Sequence, residues 1–125
     1  METKVLIVDD SSTLRASVDF TLSDSGFEVL QAVDGDEGLQ VLKGLEVKKD
    51  ELGMIITDIN MPNMDGITFI KEVKQTAFRF IPILVLTTES QDSKKMEGKA
   101  AGASGWLVKP FKPEQLMAVV SKFLK

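Results

Sequence analysis

Five short, almost wholly apolar runs, each followed by a stretch of helical period, constrain the fold of this chain more than any other feature. The runs are Val5–Val8, Phe27–Val33, Met54–Thr57, Ile83–Leu86 and Gly105–Val108. Val5-Leu-Ile-Val8 shows no alternation with polar residues, so it reads as a strand buried on both faces, and Pro82 precedes the fourth strand, Ile83-Leu-Val-Leu86. Between the runs, apolar residues recur at helical spacing. Ser11, Ser12 and Thr13 offer helix caps, and Leu14, Val18 and Leu22 carry a helix to a stop at Ser25-Gly26. Asp34-Gly35 reads as a turn, followed by a helix with Leu39, Leu42 and Leu45 and then a charged loop through Lys48–Glu51. Asp65-Gly66 opens a third helix with Ile67, Ile70 and Val73 on one side. Asp92–Ala101 reads as a weak helix, because Gly98 interrupts it and only Met96 and the alanines are apolar. Pro113 suits a first helical turn, and Leu116, Val119, Val120, Phe123 and Leu124 form the stripe of a last helix.

The resulting order, βαβαβαβαβα, fills the chain without repeat or linker. It predicts an α/β fold: a doubly wound five-stranded parallel sheet with right-handed crossovers and helices on both faces. Short strands and a length of 125 residues favour a single domain over 1–125 in the flavodoxin-like strand order 2-1-3-4-5. The topological switch of that order lies between strands one and three, and ligands of open α/β sheets bind there, beyond the carboxyl ends of the strands.

Those ends carry the chemistry. Asp9 and Asp10 follow the first run, Asp58 the third, Thr87 the fourth and Lys109 the fifth. Asp9-Asp10 alone would be a strand-end turn or cap; the company of Asp58 and Lys109 is what lifts the pair. Three converging carboxylates repel one another unless a divalent cation joins them. Mg²⁺ takes oxygen ligands in octahedral geometry, so Asp10 and Asp58 are expected to ligate it, Asp9 through water, with a main-chain carbonyl near Asn60 adding another oxygen. The chain has no histidine and no cysteine, which removes the usual general base, thiolate metal sites and disulfides. Phosphoryl transfer needs mainly positioning and charge neutralisation, which a Lys, a Thr and a metal supply. The available nucleophile is then a carboxylate, giving an aspartyl phosphate. Lys plus Arg number 15 and Asp plus Glu 19, a net charge of −4 that gives no reason to expect a nucleic-acid partner. No signal-peptide layout and no apolar run of membrane-spanning length are present, so a cytoplasmic protein without membrane insertion is expected.

At these positions the sequence resembles the receiver domains of two-component response regulators, most closely the single-domain chemotaxis members of CheY type. The resemblance rests on Val8-Asp9-Asp10-Ser11, on Asp58 through Gly66, on Leu86-Thr87-Thr88-Glu89 and on Ala103 through Phe111, which together span nearly the whole chain. CheY and flavodoxin share the strand order 2-1-3-4-5. The resemblance implies that Asp58 is the phosphoacceptor, charged by a histidine kinase of the CheA type, and that Asp9 and Asp10 hold Mg²⁺. It implies further that Thr87 is the switch hydroxyl, that Lys109 contacts the phosphoryl group, and that the Lys109–Pro110 bond is cis. Asn60 and Glu89 match positions that tune phosphoryl lifetime. Trp106 stands where the family usually has Tyr or Phe, a ring that moves on activation, and a role in switching is expected of it. The output surface would comprise the weak helix, strand five and the last helix, a region made basic by Lys94, Lys95, Lys99, Lys109, Lys112, Lys122 and Lys125. A stand-alone, monomeric switch in chemotaxis follows, with a flagellar motor switch protein and a phosphatase as partners. It would catalyse only its own phosphorylation and dephosphorylation.

Other functions fit less of the sequence. A relay receiver outside chemotaxis keeps every site residue. A Mg²⁺-dependent phosphatase of the haloacid dehalogenase type would want Asp-x-Asp after the first strand, where Ser11 stands, and a cap insertion. A flavodoxin-like electron carrier would place two carboxylates against the flavin phosphate.

Overall fold

The computed structural model describes residues 3–88 and 92–124. Its elements follow the predicted alternation: β1 Lys4–Val8, α1 Ser12–Asp24, β2 Glu28–Ala32, α2 Gly35–Lys48, β3 Met54–Thr57, α3 Gly66–Val73, β4 Ile83–Thr87, α4 Asp92–Ala101, β5 Gly105–Val108 and α5 Pro113–Phe123. The five strands form one sheet in the order β2-β1-β3-β4-β5, and every pairing is parallel.

Continuous apolar runs are needed because the sheet is covered on both faces. Leu6, Val8, Ile55, Ile83 and Val85 pack with Leu42, Phe69 and Ile70 on the face of α2 and α3. Their strand neighbours Val5, Ile7, Met54, Ile56, Leu84 and Leu86 pack with Val18, Leu22, Leu116 and Val120 on the face of α1 and α5. Successive strand residues point to opposite faces, so a central strand must be apolar at each position. The α5 stripe splits in depth: Leu116 and Val120 are buried, whereas Val119, Phe123 and Leu124 pack at its margin.

Helix starts agree with side-chain caps. The Ser11 hydroxyl accepts from Leu14 N at 3.2 Å, and Asp65 Oδ1 accepts from Thr68 N at 2.8 Å. Asp34-Gly35, expected to be a turn, is instead the N-cap and first residue of α2. Asp34 Oδ1 accepts from Glu37 N at 2.8 Å, while its Oδ2 accepts from Asn63 Nδ2 at 2.9 Å. At its other end α2 runs through Lys48, further than the charged composition suggested, and stops at Lys49 in a left-handed conformation with φ 60°. The weak helix forms over the expected span, but its anchoring differs. Met96 is 71% exposed, and Gly98, read as an interruption, is the buried position among the described side chains of the helix.

Candidate functional site

The carboxyl ends of β1, β3, β4 and β5 lie side by side, which brings together Asp9, Asp10, Asp58, Thr87 and Lys109. Carboxylate oxygens of Asp9, Asp10 and Asp58 all lie within 4.8 Å of one another. Asp9 is fully buried and Asp58 nearly so, while Asp10 is exposed. At such separations two unit charges repel by about 3 kcal/mol at an effective dielectric constant of about 20. That cost exceeds what packing of three short polar side chains returns, so the cluster requires cations.

Lys109 supplies one of them. Its Nζ donates to Asp9 Oδ2 at 2.9 Å and to Asp58 Oδ2 at 3.1 Å, bridging two strands across the mouth of the site. Burial works against the ammonium, but the hydrogen bond to Asp9 and the charges of Asp58 and Asp9 outweigh it and hold the pKa above the usual lysine value. Burial pushes the Asp9 carboxyl above the usual carboxylate range. Hydrogen bonds from Ser11 N and Lys109 oppose this without cancelling it, and the charge of Asp58 adds to the rise. One lysine against three carboxylates leaves a local charge of about −2, the charge a Mg²⁺ ion neutralises. The oxygen-only donor set suits that ion, so the residues present fit Mg²⁺.

The backbone fixes the phosphoacceptor candidate. Asp58 Oδ1 accepts from Ile59 N at 2.6 Å and from Asn60 N at 3.3 Å, leaving Oδ2 toward Lys109. Gly66 makes this loop fit: a β-carbon there would run into the main-chain carbonyl of Asp58, and Gly66 N donates to Ile59 O at 2.8 Å. Thr87 is fully buried at the end of β4, and its carbonyl accepts from Lys109 N at 2.8 Å. The Lys109–Pro110 bond is cis, as expected. Asn60 is exposed at the rim, and Met61 and Met64 pack against the core beneath it. Glu89 and Lys125 lie outside the described residues.

Sequence reasoning missed Arg15. Its Nη1 donates to the Asp9 carbonyl at 2.6 Å and its Nε to Gln31 Oε1 at 3.1 Å, so α1 braces the turn that presents Asp9 and Asp10. The available signal was its place one helical turn after Ser11, to whose carbonyl Arg15 N donates. Gly66 was likewise read only as part of a helix start, and Asp34 only as part of a turn.

The fold and site together define a doubly wound α/β domain with an acidic, cation-seeking pocket at its topological switch point. The family model of the response regulator receiver domain matches residues 5–121, and the chain belongs to that family. Among similar proteins, the chemotaxis protein CheY-3 of Vibrio cholerae is 37% identical over 98% of this chain and 92% of its own. The chemotaxis protein CheY1 of Helicobacter pylori is 37% identical over 90% of each. The solved structure of chemotaxis protein CheY4 of Vibrio cholerae superimposes with a TM-score of 0.88 at 48% identity, covering 99% of this chain and all of the other. The chain also matches longer proteins, spanning 50% of the Bacillus subtilis transcriptional regulatory protein PhoP at 35% identity and 15% of the Helicobacter pylori sensor histidine kinase CheAY at 38%. Among the described residues, no helix is long and apolar enough to cross a membrane.

Proposed function

We propose that this receiver domain is a stand-alone, cytoplasmic, monomeric phosphorylation switch in chemotaxis, charged on Asp58 by a histidine kinase of the CheA type. The observation that carries the reading is the convergence of Asp9, Asp10 and Asp58 around Lys109. An Asp58 oxygen attacks the phosphorus of the donor, the phosphorus–nitrogen bond to the donor imidazole breaks, and the departing ring nitrogen keeps the bonding pair. Asp10 and Asp58 directly, Asp9 through water and a main-chain carbonyl near Asn60 would hold Mg²⁺, which when bound would neutralise charge on the phosphoryl oxygens. Lys109 exchanges a carboxylate oxygen for a phosphoryl oxygen, and the Thr87 hydroxyl donates to another. A cavity of about 500 Å³ beside Lys109, lined by Ser11, Leu14, Thr88, Pro110 and Phe111, gives the donor room to approach.

Arrival of the phosphoryl group shifts an equilibrium at Trp106, α4 and α5 that changes partner binding. The rim position of Asn60 suits control of the attacking water and so of phosphoryl lifetime; the same role is assigned to Glu89. The similarity to CheY1, CheY-3 and CheY4 supports a flagellar motor switch protein as target, with a phosphatase ending the signal, and the match to CheAY supports the kinase type. No separate substrate is turned over. Incubation with acetyl phosphate and Mg²⁺ followed by intact-mass measurement tests the chemistry: one phosphoryl adduct is expected on the wild type and none on Asp58→Asn. An adduct that persists in the variant would refute the assignment. A pull-down with both phosphorylation states then separates chemotaxis from another relay.

A further inference from the structure

Gly98 sits inside α4, where a glycine costs about 1 kcal/mol relative to alanine. The helix has little to spare. Ser93, Lys95, Met96, Glu97, Lys99 and Ala100 are exposed, and Gly98 alone among the described side-chain positions of α4 is buried. A glycine that weakens an already weak helix at its one buried point calls for a packing reason.

The reason lies across the gap to β5. A β-carbon on residue 98 would stand 2.8 Å from Cζ3 of Trp106 and 3.5 Å from both its Cε3 and Cδ1 of Ile67. The first distance is well inside van der Waals contact, and the obstacle is a rigid bicyclic ring wedged between helix and core, not the free end of a flexible chain. The ring belongs to the apolar cluster of Ile67, Ile83 and Val85. Gly98 is also tied to the strand that carries the ring: its carbonyl accepts from Gly102 N at 3.1 Å and Ala103 N at 2.9 Å, in the turn that leads into β5.

We infer that Gly98 is the seat of the Trp106 indole, and that its missing side chain couples the position of the ring to that of α4. The ring rests against the core only while the backbone of α4 keeps its present distance. A displacement of either therefore moves the other, and α4 follows the ring without any direct contact to Asp58. The seat stands on packing alone; its consequence for signalling rests on the proposed role of Trp106 as the switch aromatic.

Gly98→Ala, made in the wild type and in Trp106→Phe, tests the seat. Phenylalanine lacks the second ring whose Cζ3 and Cε3 face Gly98. In the wild-type background Tm is expected to fall, and the Trp106 emission to move to longer wavelength with easier quenching by acrylamide. In the Trp106→Phe background the same substitution is expected to raise Tm, as alanine does inside a helix. A rise of Tm in both backgrounds with Trp106 emission unchanged would overturn the inference, leaving Gly98 a poor helix former and nothing more. Should Gly98→Ala fail to fold alone, rescue by Trp106→Phe supports the seat and failure in both backgrounds contradicts it. Intact mass after acetyl phosphate and Mg²⁺ is read in parallel. An adduct on Gly98→Ala equal to that on the wild type shows an undisturbed Asp58, whereas no adduct on the wild type overturns the proposed function and leaves the seat to the melting cycle.

Discussion

β4 and β5 are neighbours, β4 ending in Thr87 and β5 leading directly into Lys109, yet they are built differently. Every residue of β4 is fully buried, paired with β3 on one side and β5 on the other. Every residue of β5 is partly exposed, with a strand on one side only and α4 close beside Trp106. The difference teaches how one small fold joins a fully buried centre to a partly exposed edge. The proposed phosphoryl chemistry needs oxygens placed to a fraction of an ångström, and the buried central strands suit that need. The proposed switch needs an element of low local stability, and the partly exposed edge with its polar helix is the one it is assigned to.

The largest effects should come from attacking the centre. Leu84→Ala is expected to cost about 3 kcal/mol in urea unfolding, Leu107→Ala on the edge strand about 1, and Met96→Ala on α4 within about 0.5. Equal costs for Leu84→Ala and Leu107→Ala would break the contrast. Next comes the metal. Mg²⁺ at about 100 times its Kd should stabilise the wild type by about 2.7 kcal/mol, and Asp10→Asn, at an exposed position, should abolish this gain without lowering the metal-free Tm.

A smaller effect concerns Asp9. Its folded-state pKa is raised, so its charge costs stability at neutral pH. That cost fades as pH falls through the raised value toward the ordinary one. Metal-free Asp9→Asn is therefore expected to melt a few degrees higher than the wild type near pH 7, with the gap closing in acid. A further pH-dependent effect sits on the helix cap. Backbone hydrogen bonding from Glu37 and the Asn63 amide hold the Asp34 carboxyl below the usual range. Its contribution is present above the ordinary carboxylate pKa and lost as pH falls through the depressed folded value. Asp34→Ala should cost about 1 kcal/mol at pH 7 and less in acid, read by thermal melts across pH.

The contrast also explains what was legible in the sequence. Val5–Val8 and Ile83–Leu86 declare themselves because burial on both faces excludes polar residues, and parallel order then places Asp9, Asp10, Asp58, Thr87 and Lys109 together. Arg15 was not legible, since its role depends on a main-chain carbonyl rather than on a residue type. Gly98 was misread for a related reason. Local propensity sees a helix breaker, whereas the space it provides is filled by a ring that follows the next turn. Gly66 likewise looks like turn chemistry until the carbonyl of Asp58 is seen against it.

The central claim is that chemistry at the buried centre is read out at the soft edge. Trp106 is the only tryptophan, so its fluorescence reports on that edge alone. With acetyl phosphate and Mg²⁺, the emission of the wild type should change in step with the phosphoryl adduct seen by mass, and that of Asp58→Asn should stay constant. A wild type that carries the adduct while its Trp106 emission is unmoved would contradict the account.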